Sequence, residues 1–500
     1  MTRTTVLDQA AGVALQRLAA LGVTPAGVTD DSRKVAAGDL FLACPGNLVD
    51  GRQHIDEAIA RGAVAVFWEQ VDGTAGEGLA GDDWPVASLP ISGLRALRGP
   101  LAHAVYGYPS ERLSVVAVTG TNGKTSATQW IAATHPRRCA VIGTLGAGFP
   151  STMAETGFTT PEATALMRLL ANLAGQQAQA CAIEASSIGI AEGRLDGTRV
   201  DVAVFTNLSR DHLDYHGDMA AYAAAKARLF AWPRLRLAVI NLDDPFGRQL
   251  AAQSTASKII GYTQRDEPDN RQGTVRAEAV EEAIDGLRFC LCTPNGRASV
   301  ETGLLGRYNV SNLLAVAAVL LDAGLKPQDI AERFALLASP AGRLEKIGGD
   351  NEPLVVIDYA HSPDALENAL NALRPVAGAR GAGLCVVFGC GGDRDRGKRA
   401  LMGEIASRCA DRVVLTSDNP RSEDPTAIIV EIAAGAPCAE VVVDRREAIR
   451  RTLLTAHPAD VVLIAGKGHE AYQEISGVRH AFSDAAEVRA ALVTRHEVVE

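Results

Sequence analysis

The sequence predicts an α/β protein built as three layered units, and three observations carry that expectation. At 500 residues, and about 150 residues per domain, the chain is sized for about three domains. From Leu113 onward, short runs rich in Val and Ile alternate with helical stretches, the pattern of buried, mostly parallel sheets. The alternation breaks at Ser339–Gly342 and then resumes. Hydrophobic residues make up 47% and charged residues 22%, which excludes a disordered tail, a collagen and a small disulfide scaffold. The formal charge of −10, without a basic block, argues against nucleic-acid and membrane-surface partners. No apolar run reaches the ~18 residues of a membrane span. Asp8, Gln9, Gln16 and Arg17 interrupt the first apolar stretch, so it does not read as a signal peptide. Nine scattered cysteines with no CxxC pair read as reduced thiols of a cytosolic enzyme.

Residues 1–98 hold strand-like runs at Asp39–Ala43 and Ala63–Phe67, a helical pattern from Ile55 to Arg61 and a Gly- and Asp-rich surface loop from Val71 to Asp83. His103 to Arg112, with Gly107 and Pro109, reads as the connection into a second unit, 99–338. Its strands are expected at Ser114–Val118, Cys181–Ile183, Val200–Phe205 and Leu237–Ile240. A third unit, 339–500, repeats the pattern at Leu354–Ile357, Leu384–Phe388, Arg412–Leu415, Val441–Val443 and Val461–Ile464. In such folds the strand ends are where chemistry is sought.

The strongest local signal is a strand that runs into Thr119-Gly-Thr-Asn-Gly-Lys-Thr125, with a helix expected to begin near Ser126. Gly120 and Gly123 let backbone N–H groups of Thr121 and Asn122 approach a phosphate, and the helix N-terminus adds a favourable dipole. Lys124 supplies a point charge, and Thr125 is placed to hold Mg²⁺. The alternative is a tight strand–helix turn with an exposed lysine. A standard P-loop has four residues between its glycines and this one has two, so common GTPases and transport ATPases fit poorly.

The compact loop resembles that of the Mur ligases and the related folylpolyglutamate synthetases. Further motifs follow in family order over nearly the whole chain: Asp31-Ser-Arg33, Phe158-Thr-Thr-Pro161, Glu184-Ala-Ser-Ser187, Asn207 to Asp214, Tyr308-Asn-Val310, Gly342-Arg-Leu-Glu345, Asp358 to Pro363, Gly389 to Arg394, Asp418-Asn-Pro-Arg421 and Gly466-Lys-Gly-His-Glu470. Each is weak alone; in order they are highly specific, and they resemble most closely the branch that adds the third peptide residue. The resemblance implies a UDP-binding N-terminal α/β domain, a central P-loop ATPase-like parallel-sheet domain and a C-terminal Rossmann-like α/β domain. It implies ATP-driven amide ligation through an acyl phosphate, with Mg²⁺. The expected substrates are ATP, UDP-N-acetylmuramoyl-L-alanyl-D-glutamate and meso-diaminopimelate. A cytoplasmic monomer is expected.

By the same resemblance, Thr125, Glu184, His212 and Lys226 are the metal-site residues, Lys226 as a carbamate, and Lys124, Glu184, His212 and Lys226 are catalytic. Read alone, His212 is more readily a hydrogen-bonded core histidine and Lys226 a solvated helix lysine. Asn309 resembles the adenine contact, with Arg343 and Asp358 near the nucleotide; Asn309 also reads as a helix N-cap. His361 shares that ambiguity. Ser32, Thr159, Thr160, Ser187 and Arg194 are expected along the UDP-muramyl-peptide path. Ile188 stands where relatives often carry histidine, which leaves that position without a polar role. The resemblance implies that Arg421, helped by Arg394, Asn419 and Glu470, holds the distal carboxylate of diaminopimelate, with Asp418, Gly466 and Glu470 positioning its amino groups; a surface turn is the alternative. A lysine-adding or folate-polyglutamylating ligase is disfavoured by Arg421 and by Asp31-Ser-Arg33 respectively. A non-catalytic nucleotide switch is disfavoured by intact Lys124, Glu184, His212 and Lys226.

Overall fold

The computed structural model describes residues 3–46, 49–70, 84–265, 273–283, 285–349 and 351–499. The loop expected from Val71 to Asp83 lies outside them. Four strands, β1 (Gly27–Thr29), β2 (Asp39–Ala43), β3 (Ala65–Glu69) and β4 (Ala87–Ile91), form an all-parallel first sheet in sequence order. The helix Arg3–Ala20 and the helix Leu94–Val105 pack on each other, and both contribute to the core beneath this sheet.

The central sheet contains β5 (Ser114–Thr119), β6 (Cys139–Gly143), β7 (Gly146–Phe149), β8 (Thr152–Ala154), β9 (Ala180–Glu184), β10 (Val202–Phe205), β11 (Leu237–Asn241), β12 (Lys258–Thr263), β13 (Val275–Ala283), β14 (Gly286–Thr293) and β15 (Gly296–Thr302). Their spatial order is β15-β14-β13-β12-β11-β10-β5-β9-β6-β7-β8. The strands from β6 across to β13 pair in parallel; antiparallel hairpins extend both edges. Side chains of β5 alternate between two cores: Val115 and Ala117 enter one face, Val116 and Val118 the other. A strand buried on both faces cannot alternate polar with apolar, which is why it reads as a continuous Val run. Full burial of each Val or Ile stabilises by about 1.5–3 kcal/mol. The helix Tyr308–Asp322 covers one face and is buried over nearly its whole circumference, as its Leu/Ala/Val composition requires.

The last sheet, β16 (Glu345–Gly348), β17 (Leu354–Asp358), β18 (Leu384–Phe388), β19 (Arg412–Leu415), β20 (Glu440–Val441) and β21 (Val461–Ala465), has the order β16-β17-β21-β18-β19-β20. All its pairings are parallel except β16 on β17. A hairpin, β22 (Tyr472–Ile475) and β23 (Val478–Ala481), follows it. Among the described residues no helix is long and apolar enough to cross a membrane.

Candidate active site

The loop after β5 is shaped by its neighbours. Gly120 has φ 151° and Gly123 φ 84°. A Cβ on Gly120 would collide with the Thr206 hydroxyl, and one on Gly123 with the Asn312 amide. Because Gly123 takes the left-handed conformation, the helix starts at Lys124, two residues before the expected Ser126. The Thr121 N–H donates to Asn207 O (2.8 Å) and the Asn122 N–H to Asn207 Oδ1 (2.9 Å). The segment after β10 therefore splints the loop.

Lys124 folds back onto this loop, donating to Gly120 O (3.0 Å) and Thr121 O (2.8 Å). Burial lowers its pKa, opposed by Glu184 and Asp211. Lys226, 1% exposed, donates to the same Gly120 carbonyl at 2.8 Å. Its ammonium also lies 4.3 Å from the Tyr222 ring centre. Burial, and then the charge of Lys124, push its pKa well below the ordinary lysine value. The solvated-lysine alternative thus fails: the helix Met219–Ala227 turns Lys226 inward.

Glu184, at the end of β9, is fully buried. Its Oε2 accepts from the Thr125 and Thr144 hydroxyls, both at 3.0 Å, and its Oε1 from the Thr144 N–H at 2.9 Å. Thr144 is absent from the expected set; it follows β6, and only the pairing of β6 with β9 brings it to Glu184. Arg343 reaches the Thr125 hydroxyl at 3.3 Å, while its Nε is buried without a partner. His212 takes φ 53° at the start of the helix Leu213–His216. Its Nε2 stands 3.6 Å from Asp211 Oδ2, and burial lowers its pKa. Among the described residues no three His, Cys, Asp or Glu side chains cluster as a metal site.

These groups line a cleft of about 320 Å³ that also takes in Thr159, Thr160, Ser187, Ile188 and Arg194. The Thr160 hydroxyl donates to Glu184 O (2.6 Å), and Arg194 donates to Thr160 O (2.9 Å) while pairing with Glu192 and Glu162. His216 Nε2 lies 3.0 Å from the Ser187 hydroxyl, so an imidazole reaches Ser187 from another helix although Ile188 is apolar. Ser32, Asn309 and Asp358 do not line this cleft. Ser32 donates to Glu57 Oε2 (3.0 Å) in the first unit. Asn309 is the second residue of its helix rather than the cap; its amide donates to Leu305 O and accepts from Asn312. Asp358, at the end of β17, accepts the Leu344 N–H at 2.8 Å, and burial raises its pKa to about 6 against the pull of Arg343. A larger cavity, about 420 Å³, opens at the other end of the central strands, where Arg199 and Arg236 already pair with Asp201 and Asp322; no expected site residue lines it.

The expected amino-acid residues converge at the C-terminal strand ends of the last sheet. Asn419 donates to Glu470 Oε2 at 2.8 Å. Arg421 has φ 52°, pinned by its N–H to Glu474 O (3.0 Å) and by Ser476 N–H to its own carbonyl (2.7 Å). Its guanidinium donates to Gly392 O (2.7 Å) and lies 4.0 Å from Glu474 Oε2, and a Cβ on Gly391 would press on it. A Cβ on Gly466 would press on the Asp418 carboxylate. Lys467, missed by sequence reasoning, lies buried among Asp418, Asn419 and Glu470. Tyr359 lines the cleft around Lys124, and its ring centre lies 5.3 Å from that of His469, the neighbour of Glu470 in sequence.

Comparison with known proteins decides the family. Three family models match in order: "Mur ligase family, catalytic domain" at 25–91, "Mur ligase middle domain" at 118–320 and "Mur ligase, glutamate ligase domain" at 342–468. A curated protein of Ectopseudomonas mendocina is 49% identical over 478 residues, covering 94% of this chain and 96% of its own. The chain belongs to the Mur ligase family. That relative, and one from Pseudomonas aeruginosa (49% identical, covering 93% of this chain and 94% of its own), bear the name UDP-N-acetylmuramoyl-L-alanyl-D-glutamate–2,6-diaminopimelate ligase. A solved structure under that name is 38% identical, with TM-score 0.64, covering 94% of this Mur ligase and 95% of its own chain. The MurF ligase of Thermotoga maritima, solved with ADP, shares the fold at TM-score 0.64 and 19% identity, covering 95% and 99%.

Proposed function

We propose that this Mur ligase adds meso-diaminopimelate to UDP-N-acetylmuramoyl-L-alanyl-D-glutamate at the expense of ATP, in peptidoglycan precursor synthesis. The observation that carries the choice of amino acid is Arg421, whose guanidinium donates to Gly392 O at the strand ends that also hold Asp418, Asn419 and Glu470; Arg394 lies on the same loop as Gly392. A planar guanidinium holds a carboxylate bidentately, and the adjacent carboxylates suit an ammonium. Lysine has no distal carboxylate and leaves Arg421 with only Gly392 O and the Glu474 carboxylate 4.0 Å away.

In this reading the peptide carboxylate attacks the γ-phosphate, ADP leaves, and the amine then displaces phosphate from the acyl phosphate. Lys124 exchanges its loop carbonyls for phosphate oxygens. The backbone N–H groups of the loop and Arg343 share the anionic load, so catalysis is chiefly positioning and electrostatic stabilisation. Thr159, Thr160, Ser187 and Arg194 guide the peptide, Ser32 contacts the uridine diphosphate, and Asn309 and Asp358 serve the adenosine side. The hydroxyl of Thr125 and the carboxylate of Glu184 form an oxygen donor set of the kind Mg²⁺ selects. Bound there, Mg²⁺ supplies charge neutralisation between triphosphate and carboxylate. Lys226 fits as a ligand only as a carbamate, since its ammonium is a donor. The imidazole of His212 is a softer donor than Mg²⁺ favours, and Asp211 beside it offers oxygen. Cytoplasmic location follows from the nucleotide substrates, and a monomer suffices because one chain holds both loci.

The test is ligation with UDP-muramyl dipeptide, ATP and a panel of amino acids. Phosphate release should require both the dipeptide and the amino acid, vanish on chelation and return with Mg²⁺. Discrimination for meso-diaminopimelate over L-lysine should reach roughly 10⁴-fold in kcat/KM. Arg421→Ala should raise the diaminopimelate KM steeply and leave those for ATP and dipeptide nearly unchanged. Equal kcat/KM for the two amino acids would refute the assignment.

A further inference from the structure

Lys467 stands between Gly466 (φ 114°) and Gly468 (φ 54°), just past β21. Its side chain has no exposure to solvent. The ammonium donates to Asn419 Oδ1 at 3.0 Å and to Glu470 Oε2 at 2.9 Å, and lies 3.8 Å from Asp418 Oδ1. Asn419 ties the group together: its Oδ1 also accepts the Glu474 N–H at 2.9 Å, and its amide nitrogen donates to the same Glu470 oxygen. A fully buried ammonium is costly unless hydrogen-bonded and paired. All its carboxylate and amide partners here are residues proposed to hold the amino acid.

We propose that Lys467 is a positioning residue whose buried charge sets the electrostatic balance of the amino-acid pocket, and through it the selection of a substrate with a distal carboxylate. This rests on the function proposed above. Asp418 and Glu470 place two negative charges where the distal ammonium docks, and Lys467 offsets one of them. The net single negative charge matches one ammonium and still admits the neighbouring carboxylate to Arg421 and Arg394. Without Lys467 the two carboxylates lose the cation that touches them, and the buried Arg445 nearby is already paired with Asp484. An entering carboxylate is then repelled, while the side-chain ammonium of L-lysine is drawn in. Lys467 also fixes the rotamers of Asn419 and Glu470 through its two hydrogen bonds.

The experiment measures kcat/KM for meso-diaminopimelate and for L-lysine with the full chain, UDP-muramyl dipeptide and saturating ATP, in unmutated, Lys467→Met, Glu470→Gln and Lys467→Met/Glu470→Gln proteins. In Lys467→Met the ratio of diaminopimelate to lysine should fall by at least about tenfold, as expected for an unbalanced like charge, with the ATP KM unchanged. The double variant restores the charge balance and should recover most of the ratio, though with a weaker diaminopimelate KM. Glu470→Gln alone shifts the balance the other way and should raise the ratio. A merely structural lysine would depress both amino acids alike. An unchanged ratio in Lys467→Met, or no recovery in the double variant, overturns the proposal. If Lys467→Met does not fold by circular dichroism, an unchanged or lowered ratio in Glu470→Gln overturns it instead. Failure of the unmutated protein to ligate diaminopimelate would sink the function itself, a distinguishable outcome.

Discussion

Two lysines with opposite sequence signatures end at one atom. Lys124, in a glycine loop, announces itself; Lys226, in the alanine-rich helix Met219–Ala227, does not. Both donate to the Gly120 carbonyl. Two ammonium groups sharing one acceptor in a buried site favour loss of a proton from one of them, and the direction is strongest for Lys226. A neutral amine is what carbon dioxide requires to form a carbamate. Lys226 is therefore expected to carry a carbamate in the working enzyme. With ¹³C-labelled bicarbonate, a carbamate carbon resonance should appear in the unmutated protein and be absent from Lys226→Ala. Short carboxylates should partly restore turnover to that variant. No resonance difference at saturating bicarbonate and Mg²⁺ would count against the modification.

At the scale of elements, a buried ion pair seats the last two helices, with the more exposed Arg446–Glu487 pair beside it. Arg445 begins the helix Arg445–Thr455 and Asp484 the helix Asp484–Val499. Both side chains are fully buried, with two hydrogen bonds of 2.8 Å between them. Arg445 also donates to Ala465 O at 2.9 Å, at the end of β21 beside Gly466. Arg445→Ala strands a buried carboxylate and should cost about 3–5 kcal/mol in urea unfolding. The apolar pair Arg445→Met/Asp484→Leu should recover most of that, because replacing both partners removes the desolvation cost. Equal stabilities of the single variant and the unmutated chain would contradict this.

For the whole molecule, the contacts between units matter most. We propose units at 1–98, 99–338 and 339–500, with the helix Leu94–Val105 as a shared strut across the first boundary. Its Arg98 pairs with Asp30 of the first unit at 2.7 Å. Its His103 Nε2 is hydrogen-bonded with the Ser110 hydroxyl at 2.8 Å, and that hydroxyl accepts the Arg199 N–H at 2.9 Å. The last unit reaches the phosphate loop through Asp364, which accepts from Asn122 at 3.0 Å. Burial lowers the His103 pKa from 6.5 to about 4. Between those values the unfolded chain binds more protons than the folded one. The stability that neutral His103 contributes is thus full above about 6.5 and is lost as pH falls toward about 4. Unfolding free energies measured over that window should fall less steeply for His103→Gln than for the unmutated chain. Parallel curves would remove His103 from the acid response.

Sequence alone determined the phosphate loop and most of the parallel strands, but not β1, β4 or β12. Leu384–Phe388 and Arg412–Leu415 stand within their expected bounds, because a doubly buried strand must be locally apolar. Gly120 and Gly123 were legible because a backbone turn imposes its demand on the residue itself. The edge hairpins β7–β8 and β13–β15 and the buried strand β6 went unread. Mixed composition on β13 and β15, half exposed along their length, resembles loop. Only the tertiary structure decided the partners. Thr144 meets Glu184, His216 meets Ser187 and Lys467 meets Asn419, pairs 40, 29 and 48 residues apart in the numbering. No local periodicity encodes such meetings; strand order and helix packing do, by bringing chain ends of separate elements to one edge of a sheet.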